Sequence, residues 1–181
     1  LLTKRLKYEP PTPSDILLTD RTDGANGYSS ITPVQVIRLF LAPPHVSARL
    51  DYYDDYLRML IYHEMTHAVH TDEVRGIPKV LRYVFGRTLP ITRIQPQGFI
   101  EGIAVFNETD LTTRGRLRSP YTHMMMRMAA VEGHWPTLDQ ITLTRDRWPG
   151  GAVPYLWGGM FHQHLAERYG TEKMADYYLK H

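Results

Sequence analysis

Apolar residues along this chain fall into two regimes. Up to about residue 45 they come in short blocks, and beyond it they recur at helical spacing. Ile16 to Thr19 and Val34 to Leu41 (VQVIRLFL) are apolar runs with β-branched residues, the second closed by Pro43 and Pro44, and each predicts a strand. Asp20 to Ser30 (DRTDGANGYSS) lies between them. Its Asp23-Gly24 and Asn26-Gly27 pairs favour positive φ and predict turns, and its acids lack the spacing of a calcium loop. Residues 1–14, with Pro10, Pro11 and Pro13, read as a linker or lead-in. Helices are expected over Ser47–Asp72, Pro78–Phe85, Gln97–Thr109, Tyr121–Val131, Pro154–Tyr169 and Glu172–Leu179. Strands first and helices after predict an α+β domain over residues 15–181. A small N-terminal sheet would pack on the first long helix, with a mainly helical part following.

Composition narrows the chemistry. The 181 residues suffice for one domain with a core, and 43% hydrophobic with 22% charged residues is ordinary for a globular chain. A formal net charge of +2 gives no reason to expect nucleic acid as a partner. No apolar run approaches the ~18 residues that predict a membrane span. With no cysteine, imidazole and carboxylate are the strong metal ligands available. The chain opens on Leu1 and closes in a helical pattern, as expected of a piece of a longer protein.

The densest polar cluster lies inside the first long helix, in RMLIYHEMTHAVHTDE (Arg58 to Glu73). His63 and His67 are four residues apart, on one helix face, where two imidazoles can converge on one ion. Glu64 is next to His63 and can reach a water on that ion as a general base. Burying these groups without a partner would cost several kcal/mol, and a metal removes that cost. Zinc needs a third protein ligand. His70 lies a further turn along the same helix, and three ligands on one straight helix surround an ion poorly. Glu73 matches the metzincin spacing but lacks its glycine, because His70 stands there. Glu101, in QPQGFIEGIAVFNE, lies on a second helix whose other face is apolar, and Gly102 would let that helix approach a neighbour closely. Its carboxylate completes a His2Glu set. Glu108, seven residues on, shares its face and is the first choice to fix an imidazole's second nitrogen, ahead of Asp110 and Asp51.

HEMTH followed by EGIA resembles the gluzincin metallopeptidases, whose third ligand is a Glu in a Glu-Gly-x-Ala sequence, and is most similar to the peptidase MA-like domains. Thirty-three residues separate His67 from Glu101, a longer gap than in the thermolysin-like and aminopeptidase groups, and the helix expected at Pro78–Phe85 would fill it. VPYLWGG (Val153 to Gly159) is similar to a Val-Pro-Tyr-x-x-Gly segment of the aminopeptidase group, whose tyrosine stabilises the tetrahedral intermediate. The resemblance implies a zincin-like fold and a peptidase with one Zn2+. His63, His67 and Glu101 would be ligands, Glu64 the base and Tyr155 the oxyanion donor, with His162 the runner-up for that last role. It also implies a peptide or protein substrate, an extracytoplasmic (periplasmic or secreted) location and, in some relatives, a following TolB-like β-propeller.

Val34–Leu41 reads equally as an edge strand that receives substrate by β-addition and as a plain core strand, and the neighbouring GYSSITP would line the cleft. Gly158 and Gly159 would permit close helix packing, and Met124, Met125, Met126 and Met128 read as core side chains. Rival readings are a metal-binding but inactive scaffold module, a zinc hydrolase of non-peptide bonds, and a metal-free helical domain.

Overall fold

The computed structural model describes residues 1–45, 52–87, 94–143 and 148–180. The architecture is α+β. A three-stranded sheet is formed by β1 (Asp15–Thr19), β2 (Gly27–Ser30) and β3 (Val36–Phe40), in the order β1-β3-β2. β1 runs parallel to β3 and β2 antiparallel to it, with Ile16 opposite Ile37 and Gly27 opposite Leu39. β3 is therefore the central strand. Of the two roles expected for Val34–Leu41, the core one is observed, and an edge is offered by β2 instead. Strand alternation sends Ile37 and Leu39 into the core, where they meet Met59, Leu60 and Ala68 of α2 (Tyr56–Asp72). β2 was not expected, because its Gly-Tyr-Ser-Ser sequence reads as turn and gains strand geometry only by pairing with β3.

α2 begins at Tyr56, where the Asp55 side chain accepts from the Arg58 N–H at 3.0 Å. This cap stops the helix several residues short of the expected start. Residues 46–51, which carry the rest of that expectation and Asp51, lie outside the described residues. α3 (Gly76–Phe85), α4 (Gln97–Asp110), α5 (Pro120–Val131), α7 (Val153–Tyr169) and α8 (Thr171–Lys180) match expected helices within a few residues. α6 (Leu138–Leu143) and α1 (Leu2–Leu6) add to them. α1 lies within the expected lead-in, yet Leu2 and Leu6 are buried, and Lys7 pairs with Asp176 on α8 at 2.7 Å. Of the four methionines expected in the core, Met125 and Met126 on α5 are buried, while Met124 and Met128 are exposed.

The decisive packing is α4 on α7. A Cβ added at Gly102 would stand 2.4 Å from the Gly158 carbonyl carbon, and one at Gly158 would stand 2.3 Å from the Gly98 carbonyl oxygen. The two helices cross backbone to backbone, as glycine alone allows. Gly159 instead leaves room for the side chains of Val105 and Leu117. α4 also packs on α2, so the central helix is covered by the sheet on one side and by α4 on another. α2 is thus buried on nearly every face, and its histidines look at a helix and a cleft.

Candidate metal centre

His63 and His67 project from successive turns of α2, and the α4 crossing delivers Glu101 to them. His63 Nε2 and His67 Nε2 are 3.1 Å apart, and Glu101 Oε2 lies 3.5 Å from the first and 3.2 Å from the second. Ligand atoms at ~2.0–2.1 Å from a tetrahedral ion stand about 3.3 Å from one another. The three atoms therefore already form one triangular face of such a site. Among the described residues this is the one group of three or more His, Asp or Glu side chains disposed to hold an ion. The three open onto a cavity of about 620 Å³ whose wall includes Glu64, Gly27, Tyr28, Ser29, Arg116 and Tyr155. Of the GYSSITP segment expected to line the cleft, Gly27, Tyr28 and Ser29 do so. His70 and Glu73 stand outside the donor group. His70 packs edge-on to Tyr178, with ring centroids 4.8 Å apart, and Glu73 pairs with Arg75 at 2.8 Å.

Glu108 lies about two helical turns beyond Glu101 and accepts from His63 Nδ1–H at 2.8 Å. That bond fixes the ring's orientation and turns Nε2 toward Glu101. Asp110 is elsewhere, paired with Arg5 at 2.7 Å. The two imidazoles are unequal, since buried His67 Nδ1 has no hydrogen-bond partner among the described residues. The residue the sequence did not reveal is Arg116. Its Nε and Nη2 grip the two oxygens of Glu108 at 2.7 and 2.6 Å, and its guanidinium carbon lies 5.1 Å from the Tyr155 ring centroid. The one signal in the sequence was Gly115, a turn residue beside it, which does not say where the turn points.

Tyr155 sits at the start of α7, its ring nearly parallel to that of His63, with centroids 6.3 Å apart. Burial, and then the Glu101 carboxylate, push its phenol up to about 12, so its O–H is a donor at neutral pH. His162, the runner-up for that role, is fully buried away from the cavity. Its Nδ1–H donates to the Gly158 carbonyl at 2.7 Å and its Nε2 meets the Tyr178 hydroxyl. Burial pulls His63 down, and Arg116 does the same, but its bonds to Glu101 and Glu108 outweigh both and hold it up at about 9. Burial would raise Glu101, yet bonds from the two histidines hold it well below the usual carboxylate range. Burial likewise opposes Glu108, which Arg116 and His63 keep at about 2.

The donor set fits a divalent cation on ligand type and on spacing. Two imidazoles and one carboxylate are a donor set that such an ion takes, and the cavity beside them leaves room for a further ligand. His63, His67 and Glu101 could together hold a metal ion.

No family model matches the chain, and no solved structure matches it. A protein of Treponema pallidum (strain Nichols), described only as uncharacterized, is 26% identical over 175 residues, which is 97% of this chain and 15% of that protein. The chain therefore spans a small part of that relative. No helix among the described residues is long and apolar enough to cross a membrane.

Proposed function

We propose that the chain carries a zinc-dependent peptidase site of the gluzincin type, with His63, His67 and Glu101 as metal ligands. The observation that supports this above all is the closure of Glu101 on the two imidazoles at the edge of a cavity that also holds Glu64. When bound, Zn2+ lowers the pKa of a water toward ~7 and polarises a carbonyl. Glu64 is on the cavity wall beside His63 but outside the donor triangle, the place of a base and not of a ligand. It takes a proton from the attacking water and returns it to the leaving amine. Tyr155 donates its O–H to the oxygen on which negative charge develops. β2, along the cavity at the sheet edge, orients an extended peptide, and Gly27 keeps that wall thin. A side chain there would press on Glu64, Leu39 and Leu60.

The test is Glu64→Gln, assayed on casein and a peptide library beside a zinc determination. The variant is expected to keep its metal and to lose hydrolysis by about 10²–10⁴-fold, the usual worth of a positioned base. Equal rates in variant and parent would remove Glu64 from the mechanism. Zinc bound by a parent that cleaves nothing would make the site a binding module.

A further inference from the structure

We infer that Arg116 is a positioning residue of the metal centre, acting on His63 through Glu108; this rests on the metal reading above. Two features of the fold are arranged to bring it there. Gly115 has φ +115°, and a Cβ on it would stand 2.6 Å from the Thr109 Cα, so the chain turns hard against the end of α4 at a position only glycine takes easily. The turn is then pinned from the other side. The Leu117 N–H donates to Thr109 Oγ1 at 3.3 Å and the Leu117 side chain is buried against Val105 and Phe106. Arg118 donates to the carbonyls of Thr109, Thr112 and Arg114. Residue 116 has no freedom to lie elsewhere, and its guanidinium enters the cavity wall.

The two-point grip on Glu108 does what a single charge would not. A carboxylate held by one bond to His63 is free to rotate and to offer either oxygen. Held through both oxygens by a planar fork, it presents Oε2 to Nδ1–H in one orientation, and the imidazole inherits that orientation. The alternative is that Arg116 merely neutralises a buried acid, and this predicts that any buried cation serves as well.

Zn2+ affinity of the full chain, by chelator competition, and the visible absorption of the Co2+-loaded protein separate the two. Arg116→Gln is expected to weaken Zn2+ binding 10–100-fold and to shift the Co2+ bands, and Glu108→Gln to do the same. The double variant should lose no more than the worse single one, because the two act as one unit. Arg116→Lys keeps the charge and guards against simple misfolding, and it should recover stability to heat but not the parent Co2+ spectrum. Parent-like affinity in Arg116→Gln, losses that multiply in the double variant, or full recovery by lysine would overturn the inference while leaving the metal centre standing. A parent that binds neither ion would overturn the metal centre, and this inference with it.

Discussion

Helix α2 carries two buried charged clusters, one at its middle and one at its C-terminal end, and they differ in how they are closed. Asp72, fully buried, is surrounded by groups that satisfy it. Arg82 pairs with its carboxylate and donates to its carbonyl, Arg87 lies 3.4 Å away, and the Tyr8 hydroxyl donates to Oδ2 at 2.9 Å. Burial and Asp72 push Tyr8 up to about 12, which keeps it a donor. The cluster joins α2 to α3 and to the N-terminal segment, and it has enough positive charge of its own. The cluster around His63 and His67 leaves three possible ligand atoms facing one another at 3.1–3.5 Å and opens on a cavity. A buried polar cluster that closes on itself holds a fold together. One whose possible ligand atoms converge on a point beside a cavity could hold an ion.

The comparison is broken most severely at the open cluster. Structural zinc sites gain about 10–16 kcal/mol from their ligands together, so Glu101→Gln, which removes one of three, should weaken Zn2+ binding on the order of a thousandfold. The same change should cost the metal-free fold less than any break at Asp72. Competition with a chromophoric chelator and thermal melts in its presence measure both. A melt of metal-free Glu101→Gln that fell further than that of Asp72→Asn would mean that the open cluster is the structural one.

Asp72→Asn is the reciprocal experiment. It leaves two partly buried guanidinium groups without their counter-charge, and breaking such a pair costs about 3 kcal/mol or somewhat more. For a domain of this size that lowers the melting temperature by roughly 10 °C. Zn2+ affinity of the protein that remains folded should stay within about threefold of the parent, since the two clusters share no residue. A large change in affinity with an unchanged melt would reverse the assignment.

The two clusters were not equally legible in the sequence. His63, Glu64 and His67 could be placed because a helix fixes the relation of residues three and four apart. Glu101 could be placed as the carboxylate of a second helix whose other face is apolar and whose Gly102 permits close approach, and Glu108 followed because seven residues along a helix return to the same face. Gly102 and Gly158 were each readable as sites of close packing, though not as each other's partners, since nothing local encodes which helices meet. Asp72 gave no signal, because its partners Tyr8, Arg82 and Arg87 are scattered along the chain and arginine is common on surfaces. Arg116 was hidden for the same reason, eight residues past Glu108 across a turn whose direction depends on α4. β2 was misread as turn because Gly27 and the two serines have low strand preference alone. Pairing with β3 and packing over Leu60 supply what the local sequence lacks.

A third kind of buried polar group sharpens the comparison with a smaller effect: an imidazole kept neutral. His162 sits behind the cavity among Phe99, Phe161 and Tyr178, and burial pulls it down to about 4 despite its bond to the Gly158 carbonyl. The unfolded chain takes up a proton at this residue near pH 6.5, and the folded chain only near pH 4. Above pH 6.5 neither form is protonated and the residue contributes no pH dependence. As pH falls below 6.5 the unfolded state is favoured, by about 2 kcal/mol at pH 5, until the folded form also titrates. Buried His70, drawn down to about 3, adds a loss of the same sign. Denaturant unfolding between pH 7 and pH 4.5, with a chelator present so that metal release does not contribute, should show this fall. His162→Gln, whose amide can still reach the Gly158 carbonyl, should flatten it by about one proton. A variant with the parent's slope would place the acid sensitivity elsewhere, and would mean that the wall behind the cavity tolerates charge.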